Sequence, residues 1–254
     1  MQQPEELMPL TEHLGELRRR IIYVLLVFAA ALAGGFLAAQ PVYTYLVHDG
    51  QAAQFSLHAI SFWDGVGIYM KIALLLGLAL TCPFIVYQLW KFVSPGLLPQ
   101  ERSAAGRYVP YTFVLFVLGA AFAYYVIFPM ALSFTTSVNR NLGLEETYGV
   151  AQYFTFLFNI VLPVSLLFEL PLAVMLLTRL RLVTPRLLRK MRRVSYFALV
   201  FVAVVITPPD VVSDLLVSVP LLGLYEVSVL LSTVVYRKQQ TADARLEEEL
   251  GAEE

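Results

Sequence analysis

Six apolar runs, each bounded by polar or proline-containing stretches, constrain this chain more than any other feature. A helix needs roughly 20 predominantly apolar residues to cross about 30 Å of hydrocarbon. Residues 21–39, 66–92, 109–128, 153–177, 194–206 and 215–236 meet or approach that requirement. The composition agrees: 58% of the chain is hydrophobic and 15% charged, against about 45–50% and 25% in soluble domains. The chain therefore reads as an all-α integral membrane protein with six transmembrane helices. Glu5, Glu6, Glu12 and Glu16 precede Arg18, Arg19 and Arg20, the reverse of a cleavable leader, so the first run is expected to remain as a permanent span.

The runs differ in character. Trp63 and Trp90 flank the second as two aromatic belts would, Pro110 and Pro129 open and close the third, and Pro163 and Pro171 predict a kink in the fourth. Residues 194–206 give about 13 apolar positions, roughly 20 Å of helix, and the sixth run is interrupted by Pro220 and Glu226. Spans five and six thus read as short, a pair expected to thin the bilayer or to sit under a neighbouring subunit. Orientation follows from the basic residues, which favour the cytoplasmic loops. With the N-terminus inside, only Lys71 and Arg140 fall on the outer face, and both termini are cytoplasmic. The chain divides into a cytoplasmic amphipathic segment (1–20), a six-helix membrane domain (21–236) and an acidic cytoplasmic tail (237–254) that reads as disordered. Eighteen Lys and Arg against 19 Asp and Glu give no reason to expect a nucleic-acid partner. The lone Cys82 reads as a small packed hydrophobe.

Four acids are candidates for function. Leu10, Leu14, Leu17 and Ile21 fall on one helix face, with Glu16 on the polar side. Glu16 is either an intrahelical partner of Arg19 or Arg20 or part of a site. The stretch Leu89 to Arg102, with its Pro95-Gly96 turn and Pro99 at a helix start, makes Glu101 an early-turn carboxylate. The helix dipole favours such an acid with or without a function. Glu169 and Glu226 each lie about ten residues, roughly 15 Å, from the next basic residue, near mid-bilayer. A carboxylate there costs about 2.5–3.5 kcal/mol on insertion scales and should face protein, water or a polar partner.

Absent motifs narrow the field. The sequence has no GxxxxGK[ST], HExxH or GxSxG, and His13, His48 and His58 do not fall at ligand spacing. No enzyme, cofactor or metal site is expected. A proton-coupled solute or ion transporter using Glu169 and Glu226 stays open on the residues alone.

Four motifs, in order, resemble one family. They are Pro9 to Arg18 (PLTEHLGELR), Phe92 to Leu97 (FVSPGL) with Glu101-Arg102, Phe168 to Pro171 (FELP), and Thr207 to Asp210 (TPPD). Together they are similar to TatC, the large membrane subunit of the twin-arginine protein translocase, over most of the chain from Pro9 to about Tyr236. The resemblance implies a receptor in the bacterial inner membrane that captures folded proteins bearing Arg-Arg signal peptides. It would export them, driven by the proton-motive force, in an oligomeric complex with small single-span subunits of the TatA and TatB type. By matching positions, Glu101 and Glu16, with Arg18 and Phe92, would bind the signal peptide, and Glu169 would be the polar spot where partner subunits dock; Glu226 stays beside it as a second candidate for partner docking or an intramembrane polar position, on its depth alone. Asp210 would lie in an outer-face loop. Gln100 and Ser103 stand where relatives commonly carry His and a second basic residue.

Overall fold

The computed structural model describes residues 10–93, 109–144, 147–207 and 211–251. They are helical almost throughout: α1 (Leu10–Leu37), α2 (Ala39–Thr44), α3 (Asp64–Val93), α4 (Val109–Phe122), α5 (Phe128–Asn141), α6 (Val150–Leu167), α7 (Leu170–Arg179), α8 (Pro185–Ile206) and α9 (Val211–Gly251). Two dipeptides, β1 (Leu57–His58) and β2 (Tyr148–Gly149), pair in parallel. The chain groups into two compact units, Met1–Val42 with Tyr69–Phe113, and Tyr43–Ile68 with Val114–Glu254.

In the first unit α1 and α3 run antiparallel, and small residues set how closely they approach. A Cβ on Gly35 would sit 2.8 Å from the Ala73 carbonyl oxygen, and one on Gly77 would sit 3.3 Å from Leu32 Cα. Between membrane helices, where lipid is as apolar as any side chain, such close backbone contact is a main source of attraction. The amphipathic N-terminal segment is continuous with the first span: from Leu10 onward the two form one helix, and Gly15 does not break it. Trp63 is exposed as expected of a belt residue, whereas Trp90 is buried.

The second unit shows where proline ends a helix and where it does not. Pro171 lacks the N–H that would continue the ladder, and the chain breaks at Phe168–Glu169 between α6 and α7. There Phe168 N–H still donates to Val164 O at 3.1 Å, and Glu169 N–H reaches Leu166 O, a tightened turn. Pro163 lies inside α6 without interrupting it, so of the two prolines expected to kink the fourth run only Pro171 marks a break. Pro129, in contrast, does not close the third run. Residues Ala123–Ile127 form a π-helical segment, and Phe128 N–H reaches back five residues to Ala123 O before α5 continues to Asn141. A slipped register removes the clash and keeps the backbone bonded, as hydrocarbon demands.

Five helical stretches among the described residues are long and apolar enough to cross a membrane: Gly15–Leu37, Asp64–Phe92, Pro110–Asn141, Val150–Arg179 and Val217–Ala244. Helix α8 falls outside that set because its first half carries Arg186, Arg189, Lys190, Arg192 and Arg193. The sixth run is not short. α9 passes through Pro220 and Glu226 without a break and extends 41 residues. It also continues beyond Tyr236 to Gly251, so the tail expected to be disordered is helical there. The physical reason is visible in TADARLEEEL, which lacks Pro and Gly and is rich in helix formers. Two bonds secure the extension to the α7–α8 turn: Gln239 Nε2 donates to Arg179 O at 2.9 Å, and Arg181 pairs with Asp243 at 2.7 Å. Along the same interface Thr178 and Ser232 share a hydroxyl–hydroxyl bond of 2.7 Å.

Candidate functional site

At the start of α1 and the end of α3 the first unit holds a polar cavity of about 310 Å³, lined by Glu16, Arg19, Arg20, Tyr23, Gln88 and Lys91. It forms because two helical segments present polar residues at matching heights. Arg20 follows Glu16 by four residues on α1, while Gln88 and Lys91 share a face in the last turns of α3. Arg20 joins them. Its Nη2 donates to Glu16 Oε1 and, at 3.1 Å, to the Lys91 carbonyl. Its Nη1 donates to Gln88 Oε1 at 3.3 Å and to the Gln88 carbonyl at 3.4 Å. Lys91 lies in the last turn of α3, where the helix dipole is negative, so a guanidinium is favoured beside its carbonyl; the Gln88 carbonyl, one turn earlier, is a second acceptor. Arg19 turns to Tyr23 instead, donating Nε–H to its hydroxyl at 2.7 Å.

Of the expected signal-binding residues, Glu16 and Phe92 thus sit at one end of the α1–α3 pair, Phe92 directly following Lys91 in α3, and Arg18 is exposed on α1. Glu101, Arg102 and the rest of residues 94–108 lie outside the described residues. So does Asp210; among the described residues on either side, Thr207 Oγ1 donates to Asp214 Oδ1 at 2.5 Å. Of the two readings open for Glu16, the intrahelical one is realised through Arg20.

The two intramembrane acids lie in the second unit and share no hydrogen bond. Glu226 on α9 receives Arg192 Nη2 at 2.6 Å and the Tyr196 hydroxyl at 2.5 Å, both from α8. An acid at this position was expected to face protein, water or a polar partner, and α8 supplies two polar partners that the sequence did not name. Glu169 differs: both carboxylate oxygens are buried and find no hydrogen-bond partner among the described residues. It stands at the α6–α7 break, next to Phe168, whose ring lies 5.6 Å from that of Phe122 on the π-bulged third helix. Gly119, one turn earlier, makes room for Phe168: a Cβ there would lie 2.8 Å from Phe168 Cβ and 2.9 Å from Ser165 Cα.

Sequence reasoning overlooked Arg20, Gln88 and Lys91 as a unit, and Arg192 with Tyr196. A usable signal existed for the first group, since Gln88 is an amide within an apolar run and one turn before its terminal Lys91. Among the described residues no group of three or more His, Cys, Asp or Glu could hold a metal ion.

Comparison with known proteins agrees in sequence and in shape. The family model described as Sec-independent protein translocase protein (TatC) matches residues 12–220. The chain is 42% identical to the TatCy protein of Bacillus subtilis over 237 residues, 93% of each chain. It is 44% identical to the TatC protein of Halalkalibacterium halodurans over 247 residues, covering 97% of this chain and 98% of that one. A crystal structure of a twin-arginine translocase receptor TatC superposes with a TM-score of 0.72 at 30% identity, covering 88% of this chain and 99% of that chain. On this agreement over nearly the whole length, the chain belongs to the TatC family of Sec-independent protein translocase proteins.

Proposed function

We propose that this non-enzymatic translocase component is the receptor and core subunit of a twin-arginine translocase in the bacterial inner membrane. It spans the bilayer six times, α8 being the shortest crossing, with both termini in the cytoplasm. The observation that carries the reading is the placement of Glu16. Its carboxylate is positioned at the C-terminal end of α3, immediately before the segment that carries Glu101. Glu101 and Glu16 supply two carboxylates for two guanidinium groups, with Arg18 and Phe92 at the margin. The planar fork of Arg can bind a carboxylate bidentately where the ammonium of Lys cannot, so the acids choose the peptide. Exposed ion pairs contribute only about 0–1 kcal/mol each. Most of the affinity therefore comes from the signal's apolar segment, at about 0.8 kcal/mol per buried CH₂.

Glu169, at the α6–α7 break, is the position where small single-span partners of the TatA and TatB type dock, and the assembled oligomer exports folded cargo at the expense of the proton-motive force. Glu226 is braced by Arg192 and Tyr196, which favours this receptor over a proton relay running through both acids.

A photoreactive side chain at position 101 tests the reading in native membranes. It should crosslink to an Arg-Arg signal peptide and not to the Lys-Lys version; equal crosslinking to both would remove the receptor assignment.

A further inference from the structure

The receptor reading requires the Glu16 carboxylate to meet an arginine of the signal, and that carboxylate already meets one of the chain's own. The contact is unlike a loose surface pair. Arg20 is only 11% exposed, against 28% for Glu16, and three further acceptors on α3 hold the guanidinium in place: Gln88 O, Gln88 Oε1 and Lys91 O. Of these, Lys91 O lies in the last turn of α3, where positive charge is favoured whatever Glu16 does. The side chain is therefore anchored by one helix and pairs with an acid on another turn of its own.

We propose that Arg20 is a built-in surrogate for a signal-peptide arginine, competing for the Glu16 carboxylate and setting the threshold a ligand must exceed. An incoming guanidinium takes Glu16 Oε1, and Arg20 keeps its bonds to Gln88 and Lys91, so no buried cation is left without acceptors. A competitor tethered four residues away acts by mass action, and it lowers the apparent affinity of every cationic ligand for this carboxylate by one common factor. It does not alter the ratio between Arg-Arg and Lys-Lys ligands. It moves both affinities down together, so the weaker one drops below a useful concentration while the stronger one survives. The inference rests on the assignment of Glu16 to signal binding and is independent of Glu101.

The test measures dissociation constants of fluorescent Arg-Arg and Lys-Lys signal peptides on the full-length protein in lipid nanodiscs. Arg20→Gln should tighten both by a shared factor of about two to five, the equilibrium worth of one partly exposed pair, with the Arg-Arg to Lys-Lys ratio unchanged. Arg20→Lys, which keeps a cation near α3 with a weaker hold on Glu16, should give a smaller tightening of both, and it decides the matter if Arg20→Gln fails to fold. Unchanged or weakened binding in the folded Arg20 variant, alongside clear weakening in Glu16→Gln, overturns the surrogate while leaving the receptor reading intact. Arg-Arg binding that is indifferent to Glu16→Gln removes Glu16 from the receptor site, and the surrogate with it.

Discussion

Arg192 on α8 donates to one carboxylate oxygen of Glu226 on α9 at 2.6 Å, and Tyr196, one turn along α8, donates to the other. The pair couples the most basic helix of the chain to the longest one. Both side chains keep substantial exposure, 43% and 36%, so the pair is not closed off within the protein. A double-mutant cycle of Arg192→Gln and Glu226→Gln should therefore return a coupling of about 0.3–1 kcal/mol in detergent unfolding. A coupling of zero would make the contact incidental. Because Glu226→Gln can still accept from Tyr196, that variant should retain export, in contrast to Glu169 substitutions.

Gly119 gives a sterically defined prediction. Its missing Cβ leaves space taken by Phe168 and by the Ser165 backbone, both under 3.0 Å from where the methyl of alanine would sit. Phe168 is buried, and the backbone of α6 cannot swing aside as a side-chain tip could. Overpacking of this kind typically costs about 1–3 kcal/mol. Gly119→Ala should lower the unfolding midpoint accordingly, and Gly119→Leu should lower it further. A thermal melt equal to that of the parent would show that α4 and α6 are free to separate.

How much of this was legible beforehand depends on how far apart the interacting residues lie. The α6–α7 break is local: Pro171 lacks its N–H, and the carbonyl it abandons lies one turn back in the same run. The same rule failed at Pro129, because proline reads as a stop only where water can receive the freed carbonyl; within a membrane span a slipped π register is the cheaper solution. Glu16 was correctly offered Arg20 as a helical neighbour, but Arg20's hold on Gln88 spans 68 positions in sequence, and no periodicity reports that. Which residue partners Glu226 was hidden for the same reason, Arg192 lying 34 positions back on another helix. The family resemblance rested on four short motifs, and the family model's match over residues 12–220 shows that they marked the family.

The helical end of α9 should protect the turn it touches. Arg181 stands at φ 58°, a conformation unfavourable for a non-glycine residue, and its guanidinium is held by Asp243. Truncation after Arg237 removes that partner and the Gln239 bond to the Arg179 carbonyl together. Limited proteolysis in detergent should then cut between Leu180 and Thr184 several times faster than in the full chain, since local opening there loses its two tethers. Asp243→Asn alone should produce a smaller increase. Identical cleavage of the truncated and full chains would mean that the extension contributes nothing to the turn.

Glu169 poses stability against function most directly. Both of its carboxylate oxygens are buried without a hydrogen-bond partner among the described residues, at a helix break beside the buried Phe168. A buried polar group without a partner costs about 1–3 kcal/mol, more when charged. Replacement by an apolar residue of similar length removes that penalty. Glu169→Leu is therefore expected to raise the unfolding temperature of the isolated protein while impairing association with the small single-span subunits and hence export, with signal-peptide binding unchanged. Functional sites are where such costs persist, because the group is kept for a partner that completes it. Co-purification with the partner subunit, export of a folded reporter and a thermal melt measure the three parts separately. A Glu169→Leu protein that is destabilised would show the acid to be satisfied within the chain, and one that is stabilised yet exports normally would remove Glu169 from the docking site.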